Sequence, residues 1–92
     1  MRIRLEAARL LLYRAAWLKS EARPSSLESA IAKIYAAEAA VASALDAIQL
    51  RGGYGYATDT GVERTLRDAV GGRIYSGTSE VLRNIIAHEL GL

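Results

Sequence analysis

The stretch Gly52–Gly61 has the residue types of a small-ligand loop, because four of its ten residues are glycines. Backbone N–H groups exposed in such a loop can bind phosphate oxygens. The stretch lacks the G-x-G-x-x-G spacing, however, and no lysine stands where a phosphate-binding loop has one. It also follows a helical pattern rather than a strand. A plain turn between two helices is the favoured interpretation, and phosphate binding is the alternative.

The other reactive residue types are too few or too scattered to form a metal site or an activated nucleophile. The chain has no cysteine and one histidine, His88. Disulfides and thiolate metal sites are therefore excluded, and no familiar zinc spacing is present. We expect His88 in the last turn of a helix, where a partial positive charge suits the helix dipole. Lys33 and Asp46 stand among dispersed charges that predict no reactive cluster.

Charge and hydropathy narrow the classes of partner. Residues 1–23 carry six basic and two acidic side chains, whereas residues 24–92 carry six basic and eight acidic ones. A basic first segment is compatible with nucleic acid, but the acidic balance of the remainder counts against that function. Charges interrupt every apolar run before it reaches about 18 residues, so no membrane span is predicted. Nothing requires an oxidising compartment, and we expect a cytoplasmic location.

Helical periodicity and chain breakers predict an all-α fold. Residues 2–20 hold no glycine or proline and are apolar on nearly every side, which predicts a helix that neighbours must bury. Pro24 ends it, and Ser25 with Glu28 has the spacing of a capping box. The second helix then has about 26 residues and a length of roughly 39 Å. A compact chain of this size has a radius of gyration of about 12 Å, so this helix should overhang its own domain.

Shorter segments complete the predicted bundle. A short helix is expected over residues 62–70, and Thr78 or Ser79 can cap a last helix. The apolar face of that helix is formed by Val81, Leu82, Ile85, Ile86 and Leu90. We therefore predict an up-down bundle, with two long helices and one shorter carboxy-terminal helix, in one domain over residues 1–92.

Five blocks of sequence resemble, in order and separation, the carboxy-terminal part of acyl-CoA dehydrogenases. They are residues 46–56 (DAIQLRGGYGY), 62–64 (VER), 67–69 (RDA), 73–81 (RIYSGTSEV) and 83–87 (RNIIA). Fainter likeness lies at residues 13–17 (YRAAW) and 29–33 (SAIAK). The resemblance implies an α-helical domain that assembles tetramers and completes the flavin site of a neighbouring subunit.

The resemblance also implies residues that bind FAD. The segment whose backbone contacts the adenosine diphosphate part is Gln49, Leu50, Arg51, Gly52 and Gly53. Another part of the cofactor is assigned to Thr78, Ser79 and Glu80, where the free N–H groups of a helix start suit phosphate oxygens. Acyl-CoA is the implied substrate, and the implied protein partner is a second copy of the chain or a larger dehydrogenase subunit. Neither a nucleic acid nor a membrane is implied, and no metal is.

Ser76 is the position at which the sequence departs from the family. Family members commonly have Glu-Gly-Thr after the Ile-Tyr pair, and the glutamate removes the α-proton of the acyl thioester while hydride leaves the β-carbon for the flavin. A serine hydroxyl is too weakly basic for this step, and no adjacent histidine or lysine would activate it. The base then lies on a helix outside this chain, or the protein is an inactive or repurposed relative. Tyr75 and Ser76 are expected to line the acyl pocket, and no residue is assigned as catalytic.

The first helix of the family domain and the two domains that precede it have no counterpart in residues 1–92. Those parts would supply most flavin contacts, so we expect the isolated chain to be inactive and not to retain FAD. The alternative function is a non-catalytic helical assembly module, which pairs with itself or with a larger dehydrogenase subunit.

Overall fold

The computed structural model describes residues 1–92, and every regular element in it is helical. This confirms the all-α fold predicted from periodicity and chain breakers. The two long helices come first and the shorter one comes last, as expected. The helices are α1 (Arg2–Ser20), α2 (Ser26–Arg51), α3 (Gly53–Tyr56), α4 (Val62–Gly71) and α5 (Ser79–Glu89), with one turn of 3-10 helix at Thr58–Thr60.

Contacts between the helices show that their direction alternates. Arg4 at the start of α1 pairs with Asp46 near the end of α2, so these two helices are antiparallel. The chain then returns along α2, and the end of α4 reaches Ala37 in the middle of that helix. Lys33 of α2 binds Gly77 just before α5, and Glu38 further along α2 binds Arg83 of α5 at 2.6 Å, so α5 runs parallel to α2. The result is the predicted up-down bundle.

The central element is α2, because α1, α4 and α5 each pack against it rather than against one another. Small side chains make this possible, since they let three neighbouring helices approach closely. The buried apolar residues are Ala15, Leu18, Ala30, Ala32, Ala37, Ala44 and Leu82. The alanine-rich segment is therefore a packing helix, as its composition predicted.

The molecule is elongated, with a Cα radius of gyration of 15.4 Å and extents of 47 × 23 × 18 Å. A compact chain of this length would have a radius of gyration of about 12 Å. The elongation expected from the length of α2 is present, but α2 has partners from Glu28 near its start to Ile48 near its end and does not overhang them as predicted. Large apolar side chains of α1 remain exposed, including Ile3 (84%) and Leu10 (69%). The chain therefore leaves much of the apolar surface of α1 unburied.

The start of α2 differs from the prediction. Ser25 is the N-cap residue, but its side chain makes no capping hydrogen bond. The carboxylate of Glu28 instead lies 3.7 Å from Arg14 of α1. The predicted capping box is wrong, because an ion pair between neighbouring helices takes the carboxylate that the box requires.

The glycine-rich stretch is more regular than the predicted loop. Gly52 is the C-cap of α2, as predicted, and its φ of +59° favours a residue without a Cβ. The chain then forms α3 and the 3-10 turn. Gly55 is buried, and a Cβ added there would lie 2.5 Å from the carbonyl oxygen of Ile48. The short helix therefore folds back tightly against the last turns of α2.

Candidate functional site

A tight turn between α4 and α5 carries the two residues assigned to the acyl pocket, Tyr75 and Ser76. Ser76 has a φ of +54°, in the left-handed region that a residue with a Cβ rarely adopts, and Gly77 follows with +95°. Both Tyr75 and Ser76 are exposed. The turn therefore presents both predicted substrate residues at the surface, in a backbone conformation that needs support from its surroundings.

Lys33 of α2 reaches this turn with its ammonium group. Its Nζ donates hydrogen bonds to three backbone carbonyls, those of Gly72 at 2.7 Å, Tyr75 at 3.0 Å and Gly77 at 2.7 Å. An ammonium has three N–H donors. All three donors of Lys33 are therefore used on the connection between α4 and α5.

Sequence reasoning missed this role of Lys33. It expected no lysine beside Ser76 and grouped Lys33 with dispersed charges. A signal was present, since Lys33 lies three residues after the buried Ala30 and four before the buried Ala37, and therefore on the same helical face. The lysine binds carbonyl oxygens, and the Ser76 hydroxyl makes no hydrogen bond within the chain. The hydroxyl is therefore not activated by a neighbouring base.

The start of α5 places three of the predicted cofactor residues together. Of the two predicted capping residues, Thr78 and Ser79, it is the Thr78 hydroxyl that caps the helix, by accepting a hydrogen bond from Val81 N at 3.2 Å. Ser79 N donates to the Arg73 carbonyl at 3.1 Å, while Glu80 N has no acceptor. The side chain of Ser79 is buried, at 1% exposure, and its Oγ has no hydrogen-bond partner. Two polar groups at this helix start therefore lack a partner within the chain, one at the exposed Glu80 and one at the buried Ser79.

The second predicted cofactor segment, Gln49–Gly53, lies at the far end of α2 and is exposed throughout. An added Cβ at Gly52 or Gly53 would meet nothing within 4 Å. The N–H groups of Gly53 and Tyr54 have no backbone acceptor. The segment therefore offers open backbone that a ligand can approach closely.

The structure does not bring the two cofactor segments together within one chain. Along α2, the α4–α5 turn is hydrogen-bonded to Lys33, whereas the other cofactor segment begins at Gln49, sixteen residues later. The helix rises about 24 Å between these residues. A ligand that contacts both segments of one chain must be elongated, or the segments contact two ligand molecules.

An apolar groove adjoins the α4–α5 turn. It has a volume of about 680 Å³, and half of its sixteen lining residues are alanines of α1, α2 and α4. Lys33 and Tyr75 both line it. The alanine lining offers packing contacts rather than groups that transfer protons.

The site holds no metal-binding cluster, because no three His, Cys, Asp or Glu side chains lie together as metal ligands would. The one carboxyl whose pKa is clearly shifted is Asp46, away from the turn. A hydrogen bond from Arg4 lowers the pKa of this carboxyl below its usual 3.8, and burial opposes that shift. None of the five helices is both long enough and apolar enough to cross a membrane.

Residues 1–91 match a protein family described as acyl-CoA dehydrogenase, C-terminal domain. The whole chain is 46% identical to L-prolyl-(peptidyl-carrier protein) dehydrogenase of Pseudomonas fluorescens and covers 24% of that protein. Over 90 residues it is 51% identical to the mitochondrial short-chain specific acyl-CoA dehydrogenase of Rattus norvegicus, which is 98% of this chain and 22% of the relative.

Solved structures agree with the sequence matches. The FAD complex of PigA superposes on the whole chain with a TM-score of 0.96 at 41% identity, and the chain covers 24% of that structure. The chain therefore spans about a quarter of the length of the relatives that it matches. Its helical bundle superposes on that structure over its full extent.

Proposed function

Because the chain belongs to the acyl-CoA dehydrogenase C-terminal domain family, we propose that it completes the flavin site and the subunit assembly of a flavin-dependent acyl-CoA dehydrogenase. The observation that carries the proposal is the connection Tyr75–Glu80, which presents Tyr75, Ser76 and Glu80 at the surface. It joins the residues assigned to the acyl thioester to those assigned to FAD, and two polar groups in it lack partners within the chain.

FAD fits the residues present at both ends of α2. The Glu80 N–H can bind an oxygen-rich ligand at one end, and the Ser79 Oγ beside it is buried without a partner within the chain. The open backbone at Gly52 and Gly53 admits a phosphate at the other. The residues that would hold the cofactor are Gln49, Leu50, Arg51, Gly52, Gly53, Thr78, Ser79 and Glu80. When bound, the flavin supplies the acceptor for the hydride that leaves the substrate.

Tyr75 and Ser76 serve the acyl thioester in this proposal. The Ser76 hydroxyl donates one hydrogen bond to the substrate and does not take the α-proton, because it has no neighbouring base. The proton goes instead to a carboxylate outside residues 1–92. In this account the chain binds and orients the substrate, and another part of the enzyme supplies the base.

A second candidate substrate is a prolyl thioester carried by a peptidyl-carrier protein. It is favoured by the 46% identity, over the whole chain, to an L-prolyl-(peptidyl-carrier protein) dehydrogenase. Both substrates are thioesters, so the same turn suits either. They differ in the group that carries the thioester. In acyl-CoA this group ends in a nucleotide, and in the prolyl substrate it ends in a protein.

A hybrid enzyme tests the proposed function. Residues of this chain replace the matching 90 residues of the rat short-chain enzyme. We expect the hybrid to assemble to the size of the rat enzyme and to bind stoichiometric FAD, measured by light scattering and flavin absorbance. Adding a short-chain acyl-CoA or a prolyl-carrier protein to the hybrid, and recording the flavin spectrum, separates the two substrates. An assembled hybrid without flavin would overturn the proposal and support the non-catalytic assembly module.

A Ser79→Ala variant sharpens the flavin test. The Ser79 hydroxyl is buried without a partner, so its removal should leave the isolated chain as stable as before or more stable. The same change should weaken FAD binding by the hybrid, because the variant loses the hydrogen bond that the Ser79 hydroxyl makes to the cofactor in this proposal. Ser43→Ala, on the half-buried side of α2, is the matched control and should leave FAD binding unchanged. Equal FAD affinity in all three proteins would remove Ser79 from the site.

A further inference from the structure

We infer that Lys33 is a positioning residue for the substrate turn, which holds the carbonyls on either side of Ser76 and thereby fixes the conformation that presents Ser76. The inference rests on the proposed function, since the turn acts on a substrate only if the assembled protein binds a thioester there. The hydrogen bonds from Lys33 to the turn are a property of this chain and can be tested without that function.

The hydrogen bonds of Lys33 span the whole connection between two helices. The Gly72 carbonyl, 2.7 Å from Nζ, belongs to the C-cap of α4, where a positive charge also meets the negative end of the helix. The Gly77 carbonyl, likewise at 2.7 Å, directly precedes Thr78, the N-cap of α5. One side chain of α2 therefore ties the end of α4 to the start of α5.

The backbone of the turn supports only its first half. Ile74 N and Tyr75 N both donate to the Gly71 carbonyl, at 2.9 and 3.0 Å. The N–H groups of Ser76 and Gly77 donate to no backbone carbonyl. The second half is held by the bonds from Lys33 and by the single bond from Ser79 N to the Arg73 carbonyl.

Ser76 is the residue that depends most on this hold. Its φ of +54° brings its Cβ close to the backbone, and glycine adopts this conformation far more readily. Lys33 fixes the carbonyl of Tyr75 on one side of it and the carbonyl of Gly77 on the other. Without these two bonds Ser76 is free to rotate to a negative φ, which turns its hydroxyl away from its present direction.

The same ammonium also orients the second substrate residue. It lies 6.0 Å from the centroid of the Tyr75 ring. That ring packs over Gly71, where an added Cβ would lie 3.1 Å from a ring carbon. Lys33 therefore contacts both the backbone that fixes the conformation of Ser76 and the aromatic ring of the neighbouring Tyr75.

Nuclear magnetic resonance of the 92-residue chain tests the hold directly. In the unaltered protein, scalar couplings across hydrogen bonds should link the Lys33 ¹⁵Nζ to the carbonyl carbons of Tyr75 and Gly77. In Lys33→Met, the coupling between the amide and α protons of Ser76 should report a negative φ. Lys19→Met is the matched control, because the Lys19 ammonium donates no hydrogen bond within the chain and the residue is exposed on α1. A left-handed Ser76 in folded Lys33→Met, or the lack of any coupling in the unaltered chain, would overturn the inference.

Chemical rescue separates the ammonium from the bulk of the side chain. The chain has no cysteine, so Lys33→Cys introduces a single thiol that can be alkylated in the unfolded chain before refolding. Bromoethylamine restores an ammonium at nearly the length of lysine, and bromopropane gives a neutral side chain of the same length. Only the first product should return Ser76 to the left-handed region. The same φ in both products would contradict the inference, because a side chain that merely fills space restores both equally.

Substrate binding by the hybrid enzyme completes the test. Lys33→Met should weaken binding of a non-reactive thioether analogue of acyl-CoA about tenfold, since the released turn must then be ordered on binding. Lys19→Met should not. If Lys33→Met binds flavin and binds the analogue as tightly as the unaltered hybrid, the positioning role is contradicted. If the unaltered hybrid itself binds no flavin, the proposed function is contradicted instead, and the nuclear magnetic resonance result decides the role of Lys33.

Discussion

Gly55 determines how closely α3 packs on α2, and its replacement by alanine gives a sharp prediction. The added Cβ would lie 2.5 Å from the Ile48 carbonyl oxygen and 2.9 Å from the Ile48 Cα. Both are backbone atoms, so no side-chain rotation relieves the contact and α3 itself must shift. Overpacking of this kind costs about 1–3 kcal/mol. We therefore expect Gly55→Ala to destabilise the chain.

The chain offers a matched control two residues away. Gly53 lies in the same short helix, and an added Cβ there meets nothing within 4 Å. Gly53→Ala should be neutral or stabilising by up to about 1 kcal/mol, because alanine favours helix. The difference between the two variants isolates the steric contact, since both gain the same helix propensity.

Thermal unfolding followed by circular dichroism measures this difference. For a domain of this size, 1 kcal/mol shifts the Tm by about 4–8 °C, so a contact worth about 2 kcal/mol should separate the variants by roughly 8–16 °C. Protein concentration must be equal in all samples, because association shifts the Tm. Equal Tm values for Gly55→Ala and Gly53→Ala would refute the close packing of α3 on α2.

Three further predictions concern the rest of the bundle. Ala22→Gly should raise the free energy of unfolding by about 0.5–1 kcal/mol, because Ala22 follows α1 with a φ of +53° that favours glycine. Ala16→Gly, within α1, should lower the free energy of unfolding by about 1 kcal/mol. Urea titration measures both changes. Because Arg4 lowers the pKa of Asp46, their pairing stabilises the chain above pH ~4, and this stabilisation is lost as pH falls through the lowered pKa. Arg4→Gln should remove that acid dependence in unfolding experiments at pH 2 to 5. An unchanged acid dependence would contradict the pairing. The isolated chain should sediment as a dimer or larger species at micromolar concentration and elute without FAD; a cooperatively folded monomer, or flavin at one equivalent, would contradict this.

Much of the fold follows from local sequence signals. Pro24 and Gly52 bound α2 because one cannot continue a helix and the other permits a positive φ at its end. The Thr78 cap was predicted for the same local reason. The up-down order followed from the lengths and breakers of the segments. For the helix ends and the cap, the decisive residues lie within one helical turn of the feature that they determine.

Features that depend on contacts far apart in sequence were not predictable in this way. Glu28 binds Arg14 rather than the start of its own helix, because α2 returns alongside α1. Lys33 binds carbonyls at positions 72, 75 and 77, which become its neighbours only when α4 folds back along α2. The identities of the proposed site residues came from family resemblance, whereas the support of the turn required the three-dimensional arrangement.

The central claim is that this chain contributes the Ser76 turn to the reacting end of a flavin dehydrogenase site. The most direct test compares the hybrid enzyme with its Ser76→Glu variant, by flavin reduction with a short-chain acyl-CoA. The glutamate that family members commonly use as base corresponds to position 76 and lies within the replaced residues, so the hybrid has no base there. A carboxylate in place of the Ser76 hydroxyl supplies one, which is commonly worth about 10²–10⁴-fold in rate. We predict a gain of that size for Ser76→Glu. No gain, in a hybrid that binds both FAD and the thioether analogue, would show that Ser76 does not face the reacting carbon.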